Sequence, residues 1–584
     1  MDLFSALDPR LAPSLQNEWE QRRARSSQPL VRGVTVALVG HRAAGKSSLL
    51  PHLARLLGQD GLDLDAEVAR RSGRALGEWV STDPSGFRIA ERAVFESLPR
   101  GSLVACGGGF LATHPDALSG SVAVLVPISF ETYCERLRAD VTRPRLRPEL
   151  TLEEELRQVW SDREERHLRV CTVGLVDFLL AAAAGKRPRR VVTLPPAVDP
   201  RAFAARAHKF GAELLEVRTD LTAPETDLAA AAAVLPLLIA ERGTPVPGHW
   251  VPLAELLDTE GPRGEARELL SHHAALPMTA DEALAHWKDV PPGTRVKHVE
   301  PLGPLSAAWR LLETQSRLQT QFGLDAVTVL ATGPLALPFR AVLARKNALD
   351  YLALDSTFSA APGQRLLADA VREAHAGSPS RARLGILGHE ISLSRSPSIH
   401  PQPFDRIELP ADADAAAMVQ ALRPHYRGFA VTRPFKCSVL TEVAVNTLWR
   451  TGEGFEGDNT DVLGAVAALS KLGGSAFTVL GEGGVADALA AAAVQLGVAM
   501  RFVQRADAAG QQLKGSVVWT WPPGLEAPAG LNLVGARVGV ISYGSRGHQI
   551  ARQIRALGGT PVWLGARWFI AQARAQRQRW EAAT

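Results

Sequence analysis

A glycine-rich loop near the N-terminus is the most specific chemical motif in this chain. Gly40-His-Arg-Ala-Ala-Gly45-Lys46-Ser47 follows the apolar run 34–39 and precedes an apolar helix that begins near Leu49. This is the pattern G-x-x-x-x-G-K-[ST] in the strand, loop and helix context that phosphate binding requires. In such a loop, backbone N–H groups surround the β-phosphate, Lys46 reaches the β and γ oxygens, and Ser47 is a ligand for Mg²⁺. The sequence therefore predicts ATP binding by Gly40, Gly45, Lys46, Ser47 and Ser48, and a chance glycine turn is a poor alternative.

A second glycine cluster lies near the C-terminus, at Gly481-Glu-Gly483-Gly484. It joins an apolar run to an Ala-rich stretch, as does the turn that carries the pyrophosphate in a dinucleotide-binding fold. A short glycine cluster is equally typical of a structural turn. Both interpretations stay open on these residues alone.

Lys297 stands inside an apolar run, Arg295-Val-Lys-His-Val299. Desolvation lowers the pKa of such an amine, as a nucleophilic lysine requires. A lone lysine in a strand is more often a side chain whose ammonium reaches solvent. The residue types therefore leave a catalytic and a structural lysine as alternatives.

The elements that must position these motifs follow an α/β pattern throughout the chain. From residue 34, short β-branched runs alternate with longer helical stretches, which is typical of helices packed on parallel sheets. Residues 181–190 (AAAAGKRPRR) and 374–383 (AHAGSPSRAR) break the pattern and are interpreted as linkers. The predicted units are an N-terminal extension (1–29) and domains at 30–183, 190–375 and 383–584, the last with lobes at 383–470 and 471–584.

The composition excludes several classes of protein. In 584 residues, 65 basic and 61 acidic side chains are interspersed, so no basic stripe suggests nucleic-acid binding. The basic cluster at residues 186–190 is interpreted as a solvated linker, with a phosphate-binding patch as the alternative. The four cysteines lack paired spacing, indicate neither disulfides nor a zinc site, and favour the cytoplasm.

The longest apolar run, residues 228–240, is interrupted by Pro236. It is shorter than the ~18 residues that a membrane span requires, so we predict a helix that leads into a buried strand and no membrane association. The N-terminus shows no secretory signal, and residues 17–25 could form a short charged helix.

The residues that follow the phosphate loop resemble those of shikimate kinases. The matching groups are Asp63-Leu-Asp65, Gly86-Phe-Arg88 with Glu91, Gly107-Gly108-Gly109, Arg143 and Arg163. Singly, the aspartates could be helix caps and Arg88 a surface charge. The resemblance implies that Asp63 helps hold Mg²⁺ and that Arg143 neutralises the transferred phosphate. Shikimate would be bound by Asp65, Arg88, Gly107, Gly108, Gly109 and Arg163. His167 departs from the tyrosine of the family.

The central segment resembles type I dehydroquinases, which are (β/α)8 barrels. The matching residues are Glu216, Arg218, Arg242, Ser271-His272-His273, Lys297, Arg340 and Gln364. The resemblance implies that Lys297 forms a Schiff base with the substrate ketone and that His273 is the general acid/base, with His272 as the competing assignment. Substrate would be bound by Glu216, Arg218, Arg242, Arg340 and Gln364. Val246 and Ala360 replace expected polar residues, and an acidic residue expected near Pro252 is missing.

The last segment resembles shikimate dehydrogenases, with a substrate lobe and a Rossmann lobe for NADP. The resemblance implies Lys436 and Asp461 as the catalytic pair, and an ammonium beside a carboxylate can relay a proton to the developing alkoxide. The implied substrate contacts are Ser394, Ser396, Thr432, Asn446, Asp461, Tyr543 and Gln572. The implied NADP contacts are Gly481, Gly483, Gly484 and Arg505, with NAD as the alternative cofactor. Ala430, Val462 and Glu482 depart from the family.

The order of the three segments is that of the last three modules of the fungal pentafunctional AROM polypeptides, and also that of the related quinate repressor. The first hypothesis is a trifunctional enzyme that uses ATP, Mg²⁺ and NADPH and acts on 3-dehydroquinate, 3-dehydroshikimate and shikimate. The second is a metabolite-sensing regulator in which one or more domains are inactive. A homodimer is expected from the resemblance alone.

Overall fold

The computed structural model of the chain describes residues 3–23, 28–140, 145–167, 170, 172–264, 267–375, 383–392, 394–400, 402–440, 444–452, 454–542 and 544–583. These residues form consecutive α/β units built on parallel sheets, as the alternating sequence pattern predicts. Across this described part of the chain, each helix is too short or too polar to cross a membrane.

The first unit is a five-stranded parallel sheet in the order β3-β4-β2-β5-β6, covered by helices. The sheet consists of β2 (Val36–Val39), β3 (Gly61–Asp63), β4 (Leu103–Ala105), β5 (Val122–Leu125) and β6 (Val173–Gly174). The short strand β1 (Leu30–Val31) precedes it in the chain and lies outside this sheet. The helices of the unit are α1 (Ala12–Arg22), α2 (Lys46–Leu57), α3 (Leu64–Ser72), α4 (Leu76–Thr82), α5 (Pro84–Glu96), α6 (Phe110–Thr113), α7 (Phe130–Ala139), α8 (Leu152–His167) and α9 (Leu175–Ala183). The central strand β2 is buried on both faces, which matches its apolar sequence.

The N-terminal residues pack as part of this first unit rather than as an independent extension. Leu3, Phe4 and Leu7 are almost fully buried in the same core as Leu49 and Phe178. The charged helix predicted at residues 17–25 begins earlier, as α1, and α1 packs against α9. Apolar residues before the phosphate loop therefore complete the core on one face of the sheet.

The interpretation of residues 186–190 as a solvated linker is wrong. Lys186 and Arg187 form the short strand β7 (Lys186–Arg187), which pairs with β1. The Arg187 guanidinium donates two hydrogen bonds of 2.6 Å to the Glu213 carboxylate, and Lys186 Nζ lies 3.1 Å from an Asp325 oxygen. The basic residues are neutralised by acidic partners in the following unit, which a local sequence pattern cannot show.

The central unit is a curled parallel sheet in the order β14-β13-β12-β11-β10-β9-β8-β15-β16. Its strands are β8 (Arg189–Thr193), β9 (Leu214–Arg218), β10 (Leu237–Ala240), β11 (Ala254–Thr259), β12 (Glu268–His273), β13 (Arg295–Pro301), β14 (Val327–Thr332), β15 (Leu349–Ala353) and β16 (Arg365–Leu366). The backbone N–H of Ala348, just before β15, donates to the Val327 carbonyl in β14 at 2.8 Å. The sheet thus curls round toward closure, as expected for a barrel.

The helices of this unit are α10 (Pro200–Lys209), α11 (Ala229–Ala232), α12 (Ala280–His286), α13 (Arg310–Phe322), α14 (Leu337–Leu343) and α15 (Leu367–His375). The predicted helix and buried strand in residues 228–240 are confirmed as α11 and β10. Between β10 and β11 the described chain has only a 3₁₀ turn, Val251–Leu253, in place of a full helix. Such short connections explain how a barrel fits into fewer residues than usual.

The third unit begins with a mixed sheet in the order β18-β17-β19-β20-β21. Its elements are β17 (Arg383–Gly388), α16 (Ser396–Ile399), β18 (Phe404–Glu408), α17 (Ala415–Leu422), β19 (Tyr426–Val431), β20 (Thr447–Arg450), β21 (Phe455–Asp458) and α18 (Asp461–Leu472). Phe339 of α14 and Phe429 of β19 belong to one continuous core, and the buried Arg383 is ion-paired with Asp405 and with Glu373 of α15. The barrel and this lobe therefore share both an apolar core and buried charges.

The last lobe is a five-stranded parallel sheet in the order β23-β22-β24-β25-β26. Its elements are β22 (Ala476–Leu480), α19 (Gly484–Leu496), β23 (Ala499–Val503), β24 (Gly515–Trp519), β25 (Ala536–Val540), α20 (Gly544–Ala556), β26 (Thr560–Trp563) and α21 (Gly565–Ala582). The strand order reverses at β22, so the loop after β22 opens at a topological switch point. Helix α21 returns to pack against α18 and against β19 and β20 of the preceding lobe.

Candidate active sites

Three loops of the first unit meet because the strands before them are neighbours. The phosphate loop follows β2, Asp63 ends β3, and Gly107 to Gly109 follow β4, and these strands are adjacent in the sheet. The carboxyl ends of parallel strands lie at one edge, where ligands bind in open α/β sheets. A cavity of about 630 Å³ opens there.

The phosphate loop has the backbone conformation that an anion cradle needs. Gly40 and Gly45 have φ of 132° and 89°, and Ala43, with φ of 59°, adopts a left-handed conformation that non-glycine residues rarely take. Lys46 lines the cavity, and its Nζ donates to the carbonyls of Gly40 (3.1 Å) and His41 (2.7 Å). The loop is thus folded around its own lysine, at the N-terminus of α2.

The predicted Mg²⁺ ligands lie side by side at the cavity wall. Ser47 Oγ donates to Asp63 Oδ2 at 2.5 Å, while the other oxygen of Asp63 caps α3 by accepting from the Ala66 N–H. A hydroxyl and a carboxylate oxygen are the hard donors that Mg²⁺ prefers. The donor set therefore fits this ion.

The predicted shikimate residues surround the glycine triplet. A Cβ added to Gly107 would come within 2.7 Å of carboxylate oxygens of Asp65 and Glu91, and one added to Gly109 would come within 2.6 Å of the Arg88 guanidinium. Arg163 also faces Gly109, 3.3 Å from the same added Cβ. Glycine is required because charged side chains approach the backbone closely here, which leaves two arginines and a carboxylate on one wall of the cavity.

Glu91 orients Arg88. Its buried carboxylate accepts from Arg88 Nη1 at 2.6 Å. Burial raises the pKa of Glu91, although the positive charge of Arg88 acts in the opposite direction. Burial, together with the positive charge of Arg42, lowers the pKa of Arg163 to about 10, which still leaves it cationic at neutral pH. Arg143, the predicted lid arginine, lies outside the described residues.

In the barrel, Lys297 lies on β13 and is 2% exposed. Its ammonium is ion-paired with Asp258 of β11, which also accepts a 2.8 Å hydrogen bond from Arg242. Burial lowers the pKa of Lys297. Burial alone would raise the pKa of Asp258, but the positive charges of Lys297 and Arg242 lower it to about 2. The lysine is desolvated, as an imine former requires, but it holds a carboxylate partner.

The two candidate histidines point to opposite faces of the sheet. Lys297 is opposite Ser271 in the β12–β13 register, and alternate residues of a strand point to the same face, so His273 shares the face of Lys297. His272 points to the outer face, where its Nδ1 lies 3.3 Å from Nδ1 of His298. Partial burial and the charges of Lys297 and Arg242 lower the pKa of His273 to about 3, so its ring is neutral at pH 7.

The remaining predicted barrel residues are spread around this centre. Glu216 is buried and accepts from Thr193 Oγ1 at 2.5 Å, and Arg218 is paired with Asp220. Arg340 is buried and donates to the Tyr351 carbonyl at 3.0 Å. Gln364 instead lines a separate cavity of about 190 Å³ that Lys297 does not line.

Two of the three departures noted in this unit, Val246 and Ala360, have defined surroundings in the structure. Val246 is buried in the apolar core beside Trp250, so its position is filled by packing. The Ala360 carbonyl accepts from Arg218, and the Ala360 N–H donates to the Gln364 side chain at 2.9 Å.

In the third unit, Lys436 and Asp461 form an ion pair at the start of α18. The Lys436 side chain is 20% exposed, and Trp568 Nε1 donates to the other Asp461 oxygen at 3.4 Å. An ammonium that is held by a carboxylate and still reaches solvent can give up and regain a proton.

The predicted substrate contacts lie on loops of this lobe (Ser394, Thr432 and Asn446), at the start of α16 (Ser396) and on α21 (Gln572). Asn446 is fully buried, its Oδ1 accepts from Thr460, and its Nδ2 has no hydrogen-bond partner among the described residues. Ser394 and Ser396 are hydrogen-bonded to each other at 3.3 Å. Thr432 and Gln572 are half-buried, and Tyr543 lies outside the described residues. A buried, unused amide donor fits a substrate hydroxyl.

The glycine turn after β22 fits a dinucleotide phosphate. Gly481, with φ of 116°, leaves a Cβ no room beside Thr520, whereas Gly483 faces open space just before the first turn of α19. The Glu482 carboxylate accepts from Gln504 at 2.9 Å, at the end of β23. Arg505 is exposed and donates to the Glu526 carbonyl.

Comparison with known proteins finds relatives of several parts of this chain. Residues 42–175 match the shikimate kinase family. The chain is 26% identical over 581 residues to the pentafunctional AROM polypeptide of Kluyveromyces lactis, covering 79% of this chain and 35% of that one. It is also 36% identical over 155 residues to the shikimate dehydrogenase (NADP(+)) of an Anaeromyxobacter species and 36% identical over 122 residues to the shikimate kinase of a Synechococcus species. The chain resembles a shikimate kinase fused to a shikimate dehydrogenase.

The match to the AROM polypeptide covers so much of this chain that it must include the central unit. The chain spans about a third of the length of that AROM polypeptide. The dehydrogenase alignment covers 23% of this chain and 56% of the relative, and the kinase alignment covers 20% and 63%. The likeness is thus to about a third of an AROM polypeptide.

Sequence reasoning missed two charged residues of these sites. The first is Asp258, the partner of Lys297, and its only signal was a carboxylate inside the apolar strand β11. Arg136 of α7 lines the kinase cavity and donates to the carbonyl of Ala43 in the phosphate loop (2.7 Å) and to that of Leu7 (3.1 Å). Nothing in the sequence around Arg136 distinguishes it from a surface arginine.

Proposed function

We propose that this AROM-like chain is a multifunctional enzyme that phosphorylates shikimate with ATP, dehydrates 3-dehydroquinate and reduces 3-dehydroshikimate with NADPH. One observation carries the proposal. The phosphate loop, the Ser47–Asp63 pair and the ring of Asp65, Arg88 and Arg163 all line one cavity. A nucleotide and a small hydroxylated carboxylate can therefore bind next to each other in this cavity.

For the kinase reaction, the phosphate-loop N–H groups and Lys46 hold the phosphates, and Ser47 and Asp63 would hold Mg²⁺. Bound Mg²⁺ supplies charge neutralisation at the phosphates. Arg88 and Arg163 bind the shikimate carboxylate, and Asp65 accepts the proton of the attacking hydroxyl. Catalysis then consists mostly of positioning and charge stabilisation.

For the dehydratase reaction, the Lys297 amine attacks the substrate ketone, and the imine forms with release of one water. Asp258 lies against the ammonium and holds it until its proton is lost. The neutral ring of His273, on the same face, takes the proton next to the imine and returns it to the leaving hydroxyl, which departs as water. A second water then hydrolyses the imine, which releases the dehydrated ketone and restores the Lys297 amine. Asp258 on β11 and His273 on β12 are thus on adjacent strands of the barrel.

For the dehydrogenase reaction, Lys436 donates a proton to the carbonyl oxygen of 3-dehydroshikimate while Asp461 keeps the ammonium in place. Ser394, Ser396, Thr432, Asn446 and Gln572 bind the ring. NADPH supplies the hydride when bound, held by the glycine turn at Gly481 to Gly484 and by Arg505 at the 2′-phosphate.

Separate assays on the purified chain test each reaction. Formation of ADP with shikimate, loss of water from 3-dehydroquinate and oxidation of NADPH with 3-dehydroshikimate are the expected results. A chain that binds these metabolites without any turnover would instead be a regulator. That hypothesis is not favoured, because Lys46, Ser47, Asp63, Asp65, Arg88 and Arg163 all line the cavity of the first unit.

A cytoplasmic location and a homodimer complete the proposal. Cys106, Cys134 and Cys437 are unpaired thiols in the described structure, which suits a reducing compartment. The homodimer rests on the resemblance alone. Light scattering of the purified chain measures the mass directly, and a mass of one chain would contradict the dimer.

A further inference from the structure

A group of three potential metal ligands lies behind the phosphate loop, outside the sites described above. His41 is the second residue of that loop, and Glu164 and His167 are three residues apart on α8, so both side chains lie on one face of the helix. One ligand atom from each of the three lies within 4.8 Å of the others. His41 Nε2 is 2.8 Å from Glu164 Oε2.

Besides the His41–Glu164 hydrogen bond, aromatic packing holds the two rings in place. Trp160 stacks on His41 with centroids 3.9 Å apart and planes 4° apart, and His167 packs edge-on against the same ring at 4.7 Å. Both histidines are buried, and neither His41 Nδ1 nor His167 Nε2 has a hydrogen-bond partner among the described residues. Buried ring nitrogens without partners are uncommon and need a physical explanation.

We propose that His41, Glu164 and His167 form a binding site for Zn²⁺ that joins the phosphate loop to helix α8. Zn²⁺ bonds of about 2.0–2.1 Å place tetrahedral ligands about 3.3 Å apart, so the three side chains need to move by only about 1 Å. Two imidazoles and one carboxylate form a set that Zn²⁺ takes with a water in the fourth position.

The surroundings suit an ion that exchanges with solvent. A cavity of about 440 Å³, lined by His41, Trp160, Glu164 and His167, adjoins the group and has room for the fourth ligand. The Glu164 side chain is 50% exposed, which gives a path for entry.

Such an ion would fix two parts of the kinase cavity relative to each other. The His41 carbonyl accepts from Lys46 Nζ, and Arg163 precedes Glu164 on α8. Metal at this site would therefore restrain the loop that carries Lys46 and the helix that carries Arg163. It would act as a positioning element and would not contact the substrate.

The test is Zn²⁺ binding by the full, EDTA-dialysed chain, measured by competition with a fluorescent chelator. We expect one equivalent of Zn²⁺ that excess Mg²⁺ does not displace, and a rise in the melting temperature of the kinase unit. Co²⁺ in the same site should give the intense visible absorption of a four-coordinate ion. Glu164→Gln and His167→Phe should each weaken the Kd for Zn²⁺ by at least about tenfold.

The matched control removes an imidazole from a second histidine cluster. His286 stacks on His272 in the barrel at 3.6 Å, and His286→Gln should leave the Zn²⁺ affinity unchanged. Glu164→Gln keeps the size of a half-exposed side chain, so it tests the site even where His167→Phe fails to fold. Wild-type affinity in the folded Glu164→Gln chain, loss of the ion in His286→Gln, or no stoichiometric Zn²⁺ in the wild type would each overturn the proposal.

Discussion

In the kinase unit Lys46 lies at the wall of an open cavity, whereas in the barrel Lys297 is buried and paired. Lys46 donates to two loop carbonyls and faces a volume of about 630 Å³. Lys297 contacts Asp258, and its Nζ lies 4.7 Å from the centre of the Tyr351 ring. The first lysine lines a cavity, while the second is held against a buried carboxylate.

This difference separates two uses of an amine. A charge stabiliser must stay cationic and reach its ligand, so neutral carbonyl partners and an open wall suit Lys46. A nucleophile must lose its proton. Burial favours that loss for Lys297, whereas the Asp258 carboxylate opposes it. The two lysines should therefore respond differently to substitution.

The largest expected effect is the complete loss of imine formation in Lys297→Ala. Wild-type chain incubated with 3-dehydroquinate and borohydride should gain the mass of a reduced adduct, and the variant should gain none. The exposed Lys288, in the same unit, provides the control, and Lys288→Ala should still form the adduct. An adduct of undiminished yield in Lys297→Ala would place the nucleophile elsewhere.

The next effect is on stability. Asp258→Asn leaves the Lys297 ammonium buried without its carboxylate, which typically costs about 3–5 kcal/mol. Asp258→Asn with Lys297→Met should recover most of that loss. Asp281→Asn, which breaks the exposed pair with Arg317, should cost at most about 1 kcal/mol. Calorimetry of the barrel transition measures all three variants.

The same pair gives a pH dependence with a defined sign. The pKa of Asp258 is lowered from 3.8 to about 2 on folding, so its contribution to stability is complete above pH 3.8 and is lost as the pH falls toward 2. The free energy of unfolding of the barrel should therefore fall less steeply with decreasing pH over this range in the Asp258→Asn, Lys297→Met double variant than in the wild type. Equal steepness in both chains would show that Asp258 is not the responsible group.

Lys46→Met should lower the kcat of shikimate phosphorylation by about 10²–10³, the usual loss when one charge-stabilising donor is removed. Dehydration of 3-dehydroquinate should not change, because Lys46 and Lys297 lie in different units. Lys209→Met, at an exposed lysine on α10, is the control for the loss of a positive charge. Normal phosphorylation by Lys46→Met would disprove its role.

A smaller effect is expected at the glycine triplet. The Cβ of Gly107→Ala would lie 2.7 Å from Asp65 and Glu91, so the shikimate KM should rise by up to about 10²-fold with little change in the KM for ATP. Gly77→Ala adds a methyl group where no atom lies within 4 Å and should be neutral. Equal KM values in the two variants would mean that the triplet does not shape the shikimate site.

The smallest effect extends the comparison to the dehydrogenase unit. Glu482→Gln removes a negative charge at the N-terminus of α19, where it opposes a bound phosphate, and should tighten NADPH binding by about 0.3–1 kcal/mol, or roughly two- to fivefold. Fluorescence titration measures this affinity. Asp507→Asn, at an exposed carboxylate after β23, is the control.

The sequence alone determined the elements and the motifs that are contiguous in the chain. The phosphate loop, the run at 228–240 and the glycine turn at Gly481 were found because their spacing within a few residues reflects local backbone geometry. The fold class followed from the alternation of apolar runs and helical stretches. The barrel and the two-lobed unit were reached through resemblance, since periodicity did not distinguish them.

Only the tertiary structure decided which distant charges meet. Asp258 joins Lys297 across 39 positions and His41 joins Glu164 across 123, and the basic residues at 186–190 find acidic partners in the barrel. Local spacing carries no record of these distances, because they are set by the order of strands in a sheet and by the direction of each side chain. The tertiary structure therefore decides that Lys297 meets a carboxylate and that Lys46 lines a cavity.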